Sequence, residues 1–217
     1  MTTILGVEEA GRGPVIGPLV MAGVLIDQET EENLINIGVK DSKMLTPKQR
    51  EAMYDRIIRA VKEYKIIIVQ PNEIDDAVED KEGFNLNWLE AQKSAELINL
   101  LKPDKAILDC PSTNIEAYSD YVKNHLENPT EIISEHKADE RYPVVSAASI
   151  IAKVTRDREI ERLKQEHDVD FGSGYPSDPK TKEFIEKNYS KYPFFRKSWK
   201  TYKNLANNKN QKTLKGF

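Results

Sequence analysis

The stretch Ile4-Leu5-Gly6-Val7-Glu8-Glu9-Ala10-Gly11-Arg12-Gly13-Pro14 runs from an apolar segment of strand length into two adjacent carboxylates and then into a turn. Residues 20–26 form a second apolar run, close enough along the chain to pair with the first as an antiparallel neighbour. Residues 65–69, Lys105–Asp109 and Glu131–Glu135 read as three more strands. Thr46 as N-cap and Pro47 at the first helical position open a helix reaching about residue 63. Further helices are expected over Pro71–Val78, 87–101, 114–126 and 144–167; in the second, Trp88, Ala91, Ala95, Ile98 and Leu101 recur at helical spacing. Two strands followed by strands alternating with helices predict an α/β fold, a mixed five-stranded sheet flanked by helices. A rigid Gly/Pro-rich loop at 172–179 precedes a helical C-terminal extension.

The 217 residues, 39% of them hydrophobic and 31% charged, suit one large domain or a domain with an appendage, and exclude wholesale disorder. No apolar run approaches the ~20 residues of a membrane helix. The N-terminus enters the first strand with no basic leader, and the single cysteine, Cys110, makes neither an internal disulfide nor a thiolate cluster, so the expected compartment is the cytoplasm. The net charge of −4 conceals an asymmetry: residues 180–217 carry eleven Lys/Arg against two Asp/Glu. An acidic body with a basic tail suits a protein that handles polyanions. The same tail holds Phe184, Tyr189, Tyr192, Phe194, Phe195, Trp199, Tyr202 and Phe217, aromatics that can pack helices, stack bases or do both.

Glu8, Glu9 and Asp109 close apolar strands, and Asp139 lies just beyond the fifth, where a helix begins. Strand C-termini are where ligands bind in open α/β sheets, and carboxylates buried there require a cation or hydrogen-bond donors. A donor set of oxygens with no cysteine and little histidine suits Mg²⁺ or Mn²⁺. Two such ions about 4 Å apart are the usual apparatus of phosphodiester cleavage.

The segment Gly6 to Pro18, with Lys40-Asp41-Ser42-Lys43-Met44-Leu45, Lys137-Ala138-Asp139, Tyr142 to Lys153, Arg156-Asp157 and Gly172 to Pro179, resembles the signature series of ribonuclease HII (type 2 ribonuclease H) in family order. The last loop and Ser198-Trp199-Lys200-Thr201 are most similar to archaeal members. The resemblance implies a ribonuclease H-like fold, with residues 1–179 as the catalytic domain and 180–217 as a basic, aromatic-rich helical region. It implies endonucleolytic cutting of the RNA strand of RNA–DNA hybrids and of single ribonucleotides embedded in duplex DNA, leaving 5′-phosphate and 3′-hydroxyl ends. It implies Glu8, Glu9, Asp109 and Asp139 as the catalytic, metal-binding carboxylates; a monomer is the default expectation. By the same resemblance the backbone of Gly11, Arg12 and Gly13 senses the ribose 2′-hydroxyl, Tyr175 packs on the next sugar, and Ser42 and Lys43 contact a phosphate. Glycine suits a backbone that must approach a sugar closely.

One position departs from the family pattern: Glu8 stands where Asp is usual, which carries the charge about 1.5 Å outward. The alternative is therefore a hybrid-binding variant with attenuated or absent turnover. The glycine spacing around Pro14 rules out a dinucleotide fingerprint. His136 reads as a proton shuttle or a structural histidine, Cys110 as a buried inert thiol, and Asp157 as either a support of the site or the partner of a neighbouring arginine. Glu79, Asp80 and Glu82 read as a solvated turn.

Overall fold

A computed structural model describes residues 1–39 and 45–214, with side chains as far as residue 207. Strands β1 (Thr3–Ala10), β2 (Leu19–Asp27), β3 (Glu63–Val69), β4 (Lys105–Asp109) and β5 (Glu131–Glu135) form one sheet in the order β3-β2-β1-β4-β5. β1 pairs antiparallel with β2, from Thr3 opposite Asp27 to Ala10 opposite Val20. On its other side it pairs parallel with β4, from Ile4 opposite Lys105 to Val7 opposite Leu108, and β4 continues parallel to β5. A strand in the middle of a covered sheet is buried on both faces, which is why β1 reads as a continuous apolar run rather than an alternating one.

The expected strands and helices are all present. α2 (Pro47–Ala60) starts at Thr46 with a full capping box, the Thr46 hydroxyl and the Gln49 side chain each satisfying the other's backbone N–H. It ends at Ala60 rather than near residue 63, because β3 already begins at Glu63. α3 (Pro71–Val78), α4 (Leu86–Leu101), α5 (Ile115–Asn124, capped by Asn114) and α7 (Pro143–His167) match the sequence reading within a few residues. One short helix was not expected: α1 (Glu31–Ile37) buries only Leu34, too little for an apolar period to register. α6 (Ala138–Arg141) is a single turn at Asp139, where a helix start was expected. α8 (Pro179–Asn188) and α9 (Lys200–Leu214) make the helical extension. Among the described residues no helix is long and apolar enough to cross a membrane.

The chain forms two compact units. The first, residues 1–10, 20–68 and 86–155, holds the sheet and a core that includes Val24, Ile26, Ile57, Val144, Val145 and Ala148. Gly6 decides how closely α7 sits on β1 within this core. A Cβ there would lie 2.5 Å from the carbonyl carbon and oxygen of Val144 and 2.6 Å from the nitrogen of Val145. The second unit, residues 11–19, 69–85 and 156–217, packs Phe184, Phe194 and Phe195 of the tail with Val15, Ile16 and Phe171. Tyr189, Tyr192, Trp199 and Tyr202 pack around that core, so these seven aromatics serve to fold the unit; Phe217 lies outside the described residues.

Because the atoms facing Gly6 are backbone and cannot rotate away, Gly6→Ala is expected to destabilise the protein by about 3 kcal/mol, the upper end of ordinary overpacking. Urea denaturation measures this, and an unchanged midpoint would contradict the close approach of β1 and α7.

Candidate active site

The parallel register places Val7 beside Leu108, and one step further along the same strands come Glu8 and Asp109. Glu8 is buried, at 8% exposure, and its Oε2 accepts a hydrogen bond from the backbone N–H of Glu9 at 2.6 Å. β5 runs parallel beyond β4 and leads through Lys137, held in the left-handed region at φ 58°, into α6. There the N–H of Ala138 donates to Asp109 Oδ1 at 3.2 Å, which sets the helix start against that carboxylate. Asp139, the next residue, is 4% exposed. Pairing and capping thus bring three parallel strand ends, with their acids, to one edge of the sheet.

This arrangement is electrostatically costly. Burial first, then the charges of Glu9 and Asp109, hold the Glu8 carboxyl well above the usual carboxylate range. Among the described residues no three acidic, histidine or cysteine side chains are yet drawn together tightly enough to grip an ion. The donor set nevertheless fits a hard divalent cation: oxygen ligands only, like charges in mutual repulsion, and one of them already desolvated.

His136 and Asp157 each have a defined neighbour. His136 Nδ1 lies 2.8 Å from the carbonyl of Cys110, so the residue following Asp109 orients the ring. Cys110 is buried and burial pushes its thiol up, as expected of an inert cysteine. Asp157 lies 3.8 Å from the guanidinium of its neighbour Arg156, the pairing alternative of the sequence reading. Glu90 is a buried carboxylate that the sequence reading missed. Helical periodicity marks apolar positions, and an acid on the inner face of α4 carries no such signal.

A second constellation lies within the other unit. Gly174 accepts hydrogen bonds from the N–H groups of Val15 and Ile16 at 2.9 and 3.3 Å, joining the loop after β1 to the loop at 172–178. Gly11 sits at φ +83°, and a Cβ there would come within 2.8 Å of the Pro18 carbonyl, so the turn requires glycine. A Cβ on Gly13 would stand 3.8 Å from the Tyr175 ring, which is 38% exposed. The Arg156 guanidinium lies 5.0 Å from the centre of that ring and donates from Nη2 to Ser173 O at 2.9 Å. Gly11, Arg12, Gly13 and Tyr175 are therefore gathered on adjoining loops, whereas Ser42 and Lys43 lie outside the described residues.

The family model for ribonuclease HII matches residues 5–202. The chain belongs to the ribonuclease HII family. It is 46% identical to the ribonuclease HII of Pyrococcus horikoshii over 99% of its own length and 98% of that protein. The crystal structure of ribonuclease H2 from Pyrococcus horikoshii superposes with a TM-score of 0.89 at 44% identity, covering 97% of this chain and all of that one. The ribonuclease HII solved in complex with PCNA from Archaeoglobus fulgidus gives 0.82 at 41% identity, covering 93% and 96% of the two chains. The fold is thus the ribonuclease H-like one that the sequence resemblance implied, and the similarity to archaeal members holds. As a type 2 ribonuclease H, the protein acts on RNA–DNA hybrids.

Asp178 fixes the loop that carries Tyr175. Its carboxylate accepts from Ser173 N at 2.7 Å, from Ser173 Oγ at 2.8 Å and from Lys180 N, the cap of α8, at 2.9 Å. The Ser173 bonds, with further help from the α8 N–H groups, draw its pKa from 3.8 down to about 2. Since the folded value lies below the unfolded one, this contribution is fully present above pH ~4 and disappears as the pH falls towards 2. A carboxyl NMR titration should find that low midpoint. Asp178→Asn should remove this component of the acid destabilisation; a midpoint near 4 would show that the cap is not formed.

Proposed function

We propose that this ribonuclease HII cleaves both RNA–DNA hybrids and duplex DNA containing a single ribonucleotide, in a divalent-metal-dependent reaction leaving 5′-phosphate and 3′-hydroxyl ends. The observation that carries the reading is the meeting of Glu8, Glu9 and Asp109 at neighbouring strand ends, with α6 and Asp139 capped onto Asp109. These four carboxylates would hold Mg²⁺ or Mn²⁺, which when bound supplies activation of the attacking water and neutralises charge on the departing 3′ oxygen.

The chain's own residues do the remaining work. The strand ends fix the direction from which the acids face the phosphate, and Ala138 N–H restrains Asp109 against rotation. The exposed Tyr175 ring, steadied by Arg156, offers an apolar face to the sugar following the ribonucleotide. The N–H groups of the Gly11–Gly13 stretch can reach a 2′-hydroxyl because two of those three residues lack a side chain. No protein nucleophile is needed, and buried Cys110 does not act as one.

Cleavage of a duplex bearing one ribonucleotide, with and without Mg²⁺ or Mn²⁺ and with end analysis of the products, tests the reading. No cut with either ion, or 3′-phosphate ends, would overturn it. Tyr175→Ala is expected to lose more activity on the embedded ribonucleotide than on a long hybrid. Equal losses on the two substrates would leave the ring a packing role only.

The full set of four carboxylates favours turnover over mere binding, and Glu8 lowers its rate. Its longer stem lets Oε2 fold back onto the N–H of Glu9, which diverts a potential ligand oxygen. Displacement of this size beside reacting atoms costs on the order of 100-fold. Glu8→Asp should therefore raise the Mg²⁺-supported rate while leaving hybrid affinity unchanged, as paired kinetics of the two variants would show. A slower Glu8→Asp enzyme would mean that the surroundings have adapted to glutamate.

A further inference from the structure

Among the described residues Arg196 is the largest side chain buried completely, at 0% exposure, although it belongs to the basic tail. Its guanidinium is spent on peptide carbonyls of the loop that follows β1. Nη2 donates to Gly11 O at 2.6 Å, Nη1 to Arg12 O at 3.0 Å and Nε to Gly17 O at 2.9 Å. The next carbonyl, Gly13 O, accepts from the indole N–H of Trp199 at 3.1 Å, and the Trp199 ring lies 4.9 Å from the guanidinium. Three consecutive carbonyls, those of Gly11, Arg12 and Gly13, are thus held from one side by Arg196 and Trp199.

The clamp is itself anchored. Arg196 N donates to Val15 O and Gly17 N to Phe194 O, both at 2.9 Å. Asp75 on α3 accepts from the backbone N–H groups of Lys197 and Ser198, at 2.8 and 2.9 Å, and from the Ser198 hydroxyl at 2.6 Å. The segment carrying Arg196 and Trp199 is therefore fixed on both sides within its unit.

All described peptide bonds are trans. In a trans peptide the N–H points opposite to the C=O, so fastening the Gly11 and Arg12 carbonyls turns the N–H groups of Arg12 and Gly13 away from the guanidinium. A buried cation on the carbonyl side also polarises each peptide and strengthens the donor at its other end. The third carbonyl belongs to the Gly13–Pro14 peptide, which has no N–H, so the outward donors number two.

We propose that Arg196 and Trp199 are positioning residues for ribose recognition: by clamping the Gly11, Arg12 and Gly13 carbonyls they hold the N–H groups of Arg12 and Gly13 aimed at a 2′-hydroxyl oxygen. Discrimination between ribose and deoxyribose then rests on the pre-set direction of two donors, which a deoxyribose leaves without an acceptor. The inference rests on the reading above that residues 11–13 face the sugar. It adds what makes a short glycine-containing loop rigid enough to distinguish one oxygen.

The test compares the full-length protein with Arg196→Lys and Trp199→Phe. Arg196→Lys keeps the charge but loses the planar fork. Trp199→Phe keeps the ring and removes only the N–H, which guards against a folding failure at the buried arginine. Affinities are measured in EDTA for a DNA duplex with one ribonucleotide and for the same duplex as all DNA, alongside the melting temperature. Each variant is expected to lose about tenfold in the ribose-to-deoxyribose affinity ratio, with all-DNA affinity unchanged. An undiminished ratio in both folded variants overturns the clamp and leaves the reading of residues 11–13 standing. Equal loss of both affinities with a lowered melting temperature overturns it as well, assigning Arg196 to stability alone. A wild-type protein that binds the two duplexes equally would remove the reading of residues 11–13 and the clamp together.

Discussion

Like charges held at neighbouring strand ends repel one another, and the pairing of the sheet leaves them no room to separate. β1 is fixed antiparallel to β2 through eight residue pairs and parallel to β4 on its other side, so the position of Glu8 relative to Asp109 is set by backbone hydrogen bonds. Burial and the adjacent negative charges leave the Glu8 carboxyl reluctant to ionise. The sheet therefore maintains an unfavourable charge distribution. Stability of the apolar core holds the acids together, and their mutual repulsion is what a divalent cation held there, as proposed, would offset.

The second unit faces the opposite problem, a buried positive charge beside the Trp199 ring, and meets it differently. Arg196 is neutralised in part by the dipoles of peptide carbonyls, which suit a planar guanidinium with donors in fixed directions. Such bonds give geometric definition to a loop whose glycines would otherwise leave it loose. A flexible composition at Gly11 and Gly13 and a rigid conformation are compatible because the rigidity comes from residues elsewhere in the chain. The aromatics of the tail have a matching role: Phe194 and Phe195 are core, and the clamp is built on them.

Several elements were legible because the interactions that form them are local. The Thr46 N-cap with Pro47 and the apolar run of β1 each act across a few residues and leave a pattern at that spacing. The carboxylates at strand ends were legible for a related reason, since a charge that terminates an apolar run stands out against it. α1 was not, because two turns that bury one leucine impose no period. Glu90 and Arg196 were not legible either: both are buried charges, and residue type carries no sign of that.

By itself the sequence determined the order of strands and helices, the family signature from Gly6 to the 172–179 loop, and the identity of the acids. All of these are carried by neighbours along the chain. Only the tertiary structure decided which partners those residues meet. The Gly11 carbonyl is bound by a guanidinium 185 residues away, and Gly6 is a glycine because the backbone of Val144 lies against it. A hydrogen bond or a steric contact depends on distance in space. No local pattern in the sequence encodes that distance until the sheet and the two cores have brought the segments together.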